Sequence, residues 1–330
     1  MKIRRPMKPA TLGTLGQPLE EVDESLIPFP VWGLPKWDGI RCCKQMGLAL
    51  TYNLKPIRND HIRTLIQNFC HDGIDVELII EHTVQDYFNN TQSGVMSKEG
   101  RPKFTAFLID YMPQNKREEK MTFIERWRYG YTLTHNQAYF MGFAQPLLIH
   151  DIRELLHFEQ SCLKRGYEGV ILRSKDGIYK YGRSTLKQFW MIKYKRFADS
   201  EAITTGFEEL QSNQNKPIRN EVGTIKRSSH KVNMVSAGML GALIGKDTKT
   251  DIEVRVGSFK LKERKEIWRD RNHKTKSKLG RIFTYRYQEH GMKNRPRFGT
   301  FKGWRPENEE ITIKVGLKRI KNRAVCKSNK

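Results

Sequence analysis

Nowhere in the 330 residues does an apolar run reach eighteen, so no segment is built to cross a membrane as a helix. Cysteine is scarce: Cys42, Cys43, Cys70, Cys162 and Cys326 are odd in number and form no C-x-x-C pair. That excludes a disulfide framework and a zinc ribbon, and a reducing cytoplasm is the expected location. The basic opening MKIRRPMKPA lacks the apolar stretch of a signal peptide. There is no internal repeat and no long low-complexity segment. Acid is also short, with 36 Asp and Glu against 60 Lys and Arg, a formal charge of +24. A chain with that surplus repels itself until something anionic lies against it, and nucleic acid is the commonest such partner. Hydrophobic residues at 38% and aromatic ones at 10% are enough for real cores, which excludes wholesale disorder.

The first two hundred residues hold four strand-length apolar stretches, at 74–80, 104–112, 144–151 and 168–174. Helical patterns lie between them, at Glu118–Leu133 and at Ile152–Arg165, the latter with Asp151 to cap it and Gly166 to end it. After Thr204 the character changes. Short strand candidates follow at 221–226, 239–246, 251–259, 283–290 and 310–318, with one helical piece at Lys260–Arg271. Polar loops are expected at Gln211–Arg219 and His273–Lys278. Five short strands and a helix suit a small Greek-key barrel of the oligonucleotide-binding (OB) type, and a generic β-sandwich fits nearly as well. The domains are therefore expected at 1–203 and 204–330.

Lys36-Trp37-Asp38-Gly39-Ile40-Arg41 reads Lys-x-Asp-Gly-x-Arg. By itself this is a charged turn in which Asp-Gly makes the bend. Four further segments follow in order: Asp75-Val76-Glu77, Glu168-Gly169-Val170-Ile171, Lys193-Tyr194-Lys195, and Arg295-Pro296-Arg297-Phe298 leading to Phe301-Lys302-Gly303-Trp304-Arg305. The order resembles the covalent nucleotidyltransferases, most closely the small ATP-dependent DNA ligases of bacteriophages, and the resemblance runs from about Val31 to Arg305.

The resemblance implies an α+β fold, with an adenylation domain of mixed and antiparallel sheets followed by a small all-β OB barrel. It implies that Lys36 becomes covalently adenylylated, that Arg41, Lys193 and Lys195 contact the nucleotide phosphates, and that Glu77 binds ribose or metal. Glu168 would be the metal-linked carboxylate. ATP and Mg²⁺ (or Mn²⁺) are the implied substrate and metal, and nicked double-stranded DNA is the implied partner of a monomer. Such chemistry needs an amine free of its proton near neutral pH. Arg41, Lys193 and Lys195, converging on Lys36, are expected to lower its pKa by like-charge repulsion. Carboxylates at Glu77 and Glu168 suit a magnesium ion shared with phosphates.

Three positions depart from the family pattern. Ile109 stands before Asp110 where an aromatic usually stacks on the base, so Ile109 or Phe107, two residues back on the same strand face, takes that place. Tyr52 stands where an arginine is usual, which transfers a phosphate contact to Lys55 or Arg58. Leu34, two before Lys36, offers only backbone groups to the base. The DNA surface is expected to include Arg183, Lys260, Lys262, Arg295, Arg297 and Arg305, with neighbours such as Lys226, Arg264 and the 318–330 tail. The rival readings are an RNA ligase, a GTP-using capping guanylyltransferase, and a basic DNA-binding protein that keeps only the scaffold. A dinucleotide-using ligase is disfavoured, since only 35 residues precede Lys36 and no cysteine zinc site exists.

Overall fold

Of the four apolar stretches, those at 74–80, 104–112 and 168–174 become inner strands and that at 144–151 gives only an edge strand, Leu147–Ile149, in a computed structural model that describes residues 2–13, 17–80, 87–136, 138–219, 223, 225–228, 230–288 and 296–306. Arg295, Cys326, the 310–318 strand candidate and the tail lie outside the described residues. The chain divides into two compact units, one running through Arg196 and adding Ile218–Lys226, the other comprising Phe197–Pro217 and the chain from Arg227 on.

In the first unit the labelled strands are β1 (Val31–Lys36), β2 (Ile40–Gln45), β3 (Leu48–Thr51), β4 (Ile74–Ile80), β5 (Phe104–Tyr111), β6 (Gly169–Ser174) and β7 (Ile192–Lys195). They form two five-stranded sheets. One has the order Ala10–Thr11, β7, β6, β1, Leu147–Ile149; the other runs β3, β2, β4, β5, Met141–Gly142. Among the described residues four α-helices accompany them: α1 (Asp60–Phe69), α2 (Tyr87–Met96), α3 (Phe123–Thr134) and α4 (Ile152–Lys164). Period-two alternation sorts β6 between two cores. Ile171 joins Leu34, Val76, Leu78 and Leu108, whereas Val170 and Leu172 join Val31, Ile192, Leu155 and Cys162. Each such side chain contributes about 1.5–3 kcal/mol on burial.

Helix ends follow local chemistry. The carboxylate of Asp151 accepts the Glu154 amide at 2.8 Å, and Gly166 takes the left-handed φ of +80° that ends α4. The expected helix at Glu118–Leu133 is shorter. Glu118–Lys120 makes only a 3₁₀ turn, where Glu118 accepts from the Gln114 amide at 2.6 Å, and α3 starts at Phe123 behind a capping box of Thr122 and Glu125.

Charge is buried in this core. Asp110 accepts from Arg126 Nε at 2.9 Å and from Arg173, and all three side chains are fully buried. The Cys42, Cys43, Cys70 and Cys162 thiols are free and buried. Burial pushes Cys43, Cys70 and Cys162 up to about 12, and Cys42 also upward.

The second unit is a five-stranded antiparallel sheet of β8 (Ala198–Asn213), β9 (Met234–Asp247), β10 (Glu253–Val256), β11 (Ile282–Gln288) and β12 (Arg297–Trp304), in the order β10-β9-β8-β11-β12. Gly257 bridges Thr300, donating to the Gly299 carbonyl at 3.2 Å and accepting the Phe301 amide at 3.2 Å, which closes the sheet into a barrel. Helix α5 (Leu261–Asp270) packs its Ile267 into a core with Leu243, Val256, Phe283 and Tyr285.

Two expectations change here. The 203/204 boundary falls inside β8, because Ala198–Ile203 pair with β11 and so belong to the barrel. The loop expected at Gln211–Arg219 is mostly strand: Gln211–Asn213 end β8, and Pro217–Arg219 form a two-stranded ribbon with Ile225–Arg227. The last barrel strand among the described residues is β12, from the segment read as a basic motif.

Candidate active site

The sequence around Lys36 is the seam between the two sheets of the first unit. Lys36 ends β1, residues 37–39 cross over, and β2 begins in the other sheet. Gly39 makes the crossing possible. A Cβ there would stand 2.5 Å from the Leu78 carbonyl oxygen and 2.8 Å from Glu77 Cγ.

Gly169 on β6 lies level with Lys36 on one neighbouring strand and Lys195 on the other. Two residues along, Ile171 lies level with Leu34 and Lys193, so these side chains share one face of the sheet. Facing them, the second sheet carries the row Arg41, Glu77, Phe107. A cleft of about 290 Å³ opens between the rows. Leu34, Ile109, Ile171 and Met191 make its apolar wall, Lys36, Arg41 and Glu77 its charged one, and Lys8, Trp37 and Tyr52 also line it. The apolar wall suits a planar base and the charged wall a phosphate chain.

Glu168 organises the cations. One carboxylate oxygen holds Lys36 Nζ, and the other accepts from Lys195 Nζ at 2.8 Å. Burial alone would raise Glu168, but Lys36 and Lys195 bring it down to about 2. Burial likewise pulls Lys36 down, yet Glu168, with Glu77 and Asp38 behind it, outweighs burial and holds the ammonium above its ordinary value. This corrects the expected crowd of positive charge. In the resting site carboxylates dominate Lys36, and Arg41 is neutralised by a bidentate pair with Asp75, whose Oδ1 accepts from Arg41 Nε at 2.8 Å. Lys193 does feel the crowd: burial, then Lys195 and Lys36, lower it to about 8. Glu77 is pushed up to about 7 by burial against the pull of Lys36 and Arg41.

Lys36, Leu34, Arg41, Glu77 and Ile109 are thus brought to one cleft, and Glu168, Lys193 and Lys195 adjoin it. Phe107 reaches the site only through Trp37, on which it stacks with centroids 4.9 Å apart at 18°. Ile109 is therefore the wall residue of the pair. Lys55 and Arg58 are exposed in the turn after β3 and do not line the cleft. The cation near Tyr52 is Lys8, whose Nζ lies 4.9 Å from the ring centroid. The signal for Lys8 was present only as a basic opening segment, since its partners lie far along the chain. Asp75, Asp110, Arg126 and Arg173 were also missed. Each holds another charge in place rather than facing the cleft.

In the barrel, Lys260 and Lys262 are exposed at the start of α5. Arg297 lies over the Phe298 ring at 4.9 Å. Arg305 is engaged by Glu201. Arg264, read as a DNA-facing cation, instead donates to the carbonyls of Leu240 at 2.7 Å and Phe259 at 3.1 Å. Among the described residues no three His, Cys, Asp or Glu side chains form a metal cage by themselves, and no helix is long and apolar enough to cross a membrane.

Residues 233–305 match the DNA ligase OB-like domain family. The DNA ligase of African swine fever virus is 28% identical over 108 residues, which is 32% of this chain and 24% of the viral protein. The chain thus spans about a quarter of the length of the curated relatives it matches. Among solved structures, the DNA ligase-adenylate of Chlorella virus superposes with a TM-score of 0.50 at 29% identity, covering 92% of this chain and 99% of that one. A Lig E DNA ligase superposes with a TM-score of 0.60 at 21% identity, covering 90% of this chain and 99% of that one, which is a likeness of fold. The two units have the architecture of a ligase nucleotidyltransferase domain followed by an OB domain.

Proposed function

We propose that the chain is an ATP-dependent DNA ligase that seals nicks in duplex DNA through a lysyl-AMP intermediate on Lys36. The observation that carries this reading is the shared carboxylate of Glu168, which ties Lys36 and Lys195 together at the edge of a cleft that also holds Arg41 and Glu77. A protonated amine is inert, so Lys36 must first lose its proton. It can do so only when the hold of Glu168 on its ammonium is broken, the proton passing to water, and Lys195, already on the other carboxylate oxygen, would keep the carboxylate as Lys36 turns to the phosphate. Nζ then attacks the α-phosphorus of ATP. A nitrogen–phosphorus bond forms, the bond to the bridging β-phosphate oxygen breaks, and pyrophosphate leaves. The 5′-phosphate of a nick next displaces Lys36 and takes the AMP, and the adjacent 3′-hydroxyl displaces AMP to close the strand. Each displacement builds negative charge on a phosphate, which Arg41, Lys193 and Lys195 would offset.

Mg²⁺ (or Mn²⁺) would be held by Glu77 and Glu168 with phosphate oxygens, and would neutralise charge on those phosphates. The donor set fits: Glu77 in the cleft and Glu168 at its edge offer carboxylate oxygens, and burial pushes Glu77 up to about 7 against the pull of Lys36 and Arg41, a cost that a bound cation would relieve. Ile109 and Leu34 would pack against the base, with Phe107 supporting Trp37. The enzyme would work as a monomer in a reducing cytoplasm, in keeping with four buried free thiols. Cations of the barrel, among them Lys260, Lys262 and Arg297, would contact the DNA backbone without regard to sequence.

Mass spectrometry of the purified protein after incubation with ATP tests the reading directly. An AMP mass on the peptide bearing Lys36, with sealing of nicked duplex, is the expected result. A guanylate adduct from GTP would replace the ligase reading by capping. Absence of any adduct, with DNA still bound, would leave a binding protein.

A further inference from the structure

Most cations at the cleft are already neutralised. Lys36 and Lys195 share Glu168, and Arg41 is paired with Asp75. On the Tyr52 side the pattern is different. Met7–Lys8 runs parallel to Gly182–Arg183, with Lys8 level with Arg183, so two like charges stand side by side on adjacent strands. Arg183 donates to the Pro9 carbonyl at 3.2 Å, which lays its guanidinium along the same arm. The charges that act on Lys8 are Arg183 and Arg5, both positive, and its ammonium faces the Tyr52 ring instead of a carboxylate. Lys193 is half-buried between the two groups, acted on by Lys195, Lys36 and Glu168 and less strongly by Arg183, and it has no ion-pair partner among the described residues.

Like charges held together beside a cleft without a carboxylate are costly unless an anion completes them. We propose that Lys8, with Arg183, forms a phosphate subsite on the Tyr52 side of the cleft, with Lys193 at its border with the Glu168-centred group around Lys36. This rests on the nucleotidyltransferase reading for its ligand, which is a phosphate group carried either by ATP beyond the α-phosphorus or by the 5′ end of DNA. Lys8 supplies the charge, Tyr52 supports the ammonium from below, and Arg183 fixes the arm. Charge-assisted bonds of this kind are the strong ones.

The test uses the full chain as wild type, Lys8→Met and Lys8→Arg, with thermal unfolding to check that each is folded. Inorganic tripolyphosphate is the probe, its affinity read by calorimetry, so the measurement does not depend on catalysis. Lys8→Met is expected to weaken binding roughly ten- to a hundredfold, the loss for a hydrogen bond to a charged group, and Lys8→Arg to retain most of it. Two rate measurements then separate the sources. Slower lysyl-AMP formation with unchanged closure of a pre-adenylylated nick assigns the subsite to ATP, and the reverse pattern assigns it to the DNA end. Equal affinity in Lys8→Met and wild type would overturn the subsite, as would a Lys8→Arg variant as impaired as Lys8→Met. If wild type binds the probe but forms no adduct, the ligase reading falls while the subsite stands.

Discussion

Glu168 is tied to Lys36 twice: its amide donates to the Lys36 carbonyl at 3.0 Å, and its carboxylate holds the Lys36 ammonium. The backbone bond fixes strand register, and the side-chain bond fixes where the amine waits. Lys36→Ala is therefore expected to abolish the covalent AMP adduct while leaving salt-sensitive binding to nicked duplex within about twofold. Gel-resolved labelling from radioactive ATP and a filter-binding titration check the two halves. Loss of DNA binding alongside the adduct would mean that Lys36 acts on DNA rather than on ATP.

The same pair gives the fold an acid limit. Glu168 sits at about 2 instead of the ordinary 4.5, so its contribution to stability is fully present above about 4.5 and is lost as pH falls toward 2. Glu168→Gln is expected to be less stable than wild type at pH 7, with the gap narrowing steadily below 4.5. Denaturant midpoints taken at several pH values measure it. A gap that stays constant down to pH 3 would show that the carboxylate charge is not what stabilises the site.

At the crossing between sheets, Gly39→Ala places a methyl against the Leu78 carbonyl and the Glu77 stem. Overpacking of this kind costs about 1–3 kcal/mol. Because backbone, not a flexible side-chain end, is the obstacle, β2 must shift away from β4, and Arg41 and Glu77 move with it. Lower thermal stability together with a raised KM for ATP in adduct formation is expected. A variant that melts like wild type would show that the seam has slack.

Deeper in the first unit, Asp110→Asn leaves Arg126 and Arg173 buried without their counter-charge. Removing one partner of a buried ion cluster costs about 3–5 kcal/mol, so poor soluble yield and a much lower melting temperature are expected. Calorimetry of the variant against wild type decides the matter.

On the barrel, Lys260 and Lys262 point into solvent at the start of α5. Replacing both by alanine is expected to reduce the slope of log affinity for nicked DNA against log salt by about 2, with little effect on stability. An unchanged slope would place the DNA on another face.

Much of this was legible in the chain, for reasons that can be named. Ile74–Ile80 and Ile152–Lys164 carry their own periodicity and caps, so they form as read. Lys36, Glu77 and Glu168, which the structure brings together, could be singled out because their neighbours in sequence keep a recognisable order. Strand β8 was not legible: ADSEAITTGFEELQSN is polar along most of its length, and pairing with β9 and β11 on both sides makes it a strand. Lys8 escaped for a similar reason, because what gives it meaning lies 44 positions away at Tyr52 and 175 away at Arg183. The charge state of Lys36 was misjudged because counting cations along a sequence misses which carboxylate each one meets. Arg264 shows the converse, a cation spent on carbonyl groups.

The placement of the thiols has a practical use. Cys42, Cys43, Cys70 and Cys162 all lie in the first unit, shut away from solvent, and the described part of the second unit contains none. With Cys326 changed to serine, a colorimetric sulfhydryl reagent becomes a one-sided reporter. Its reaction in mild denaturant would follow the opening of the first unit alone, and the melting of the barrel would pass without a signal.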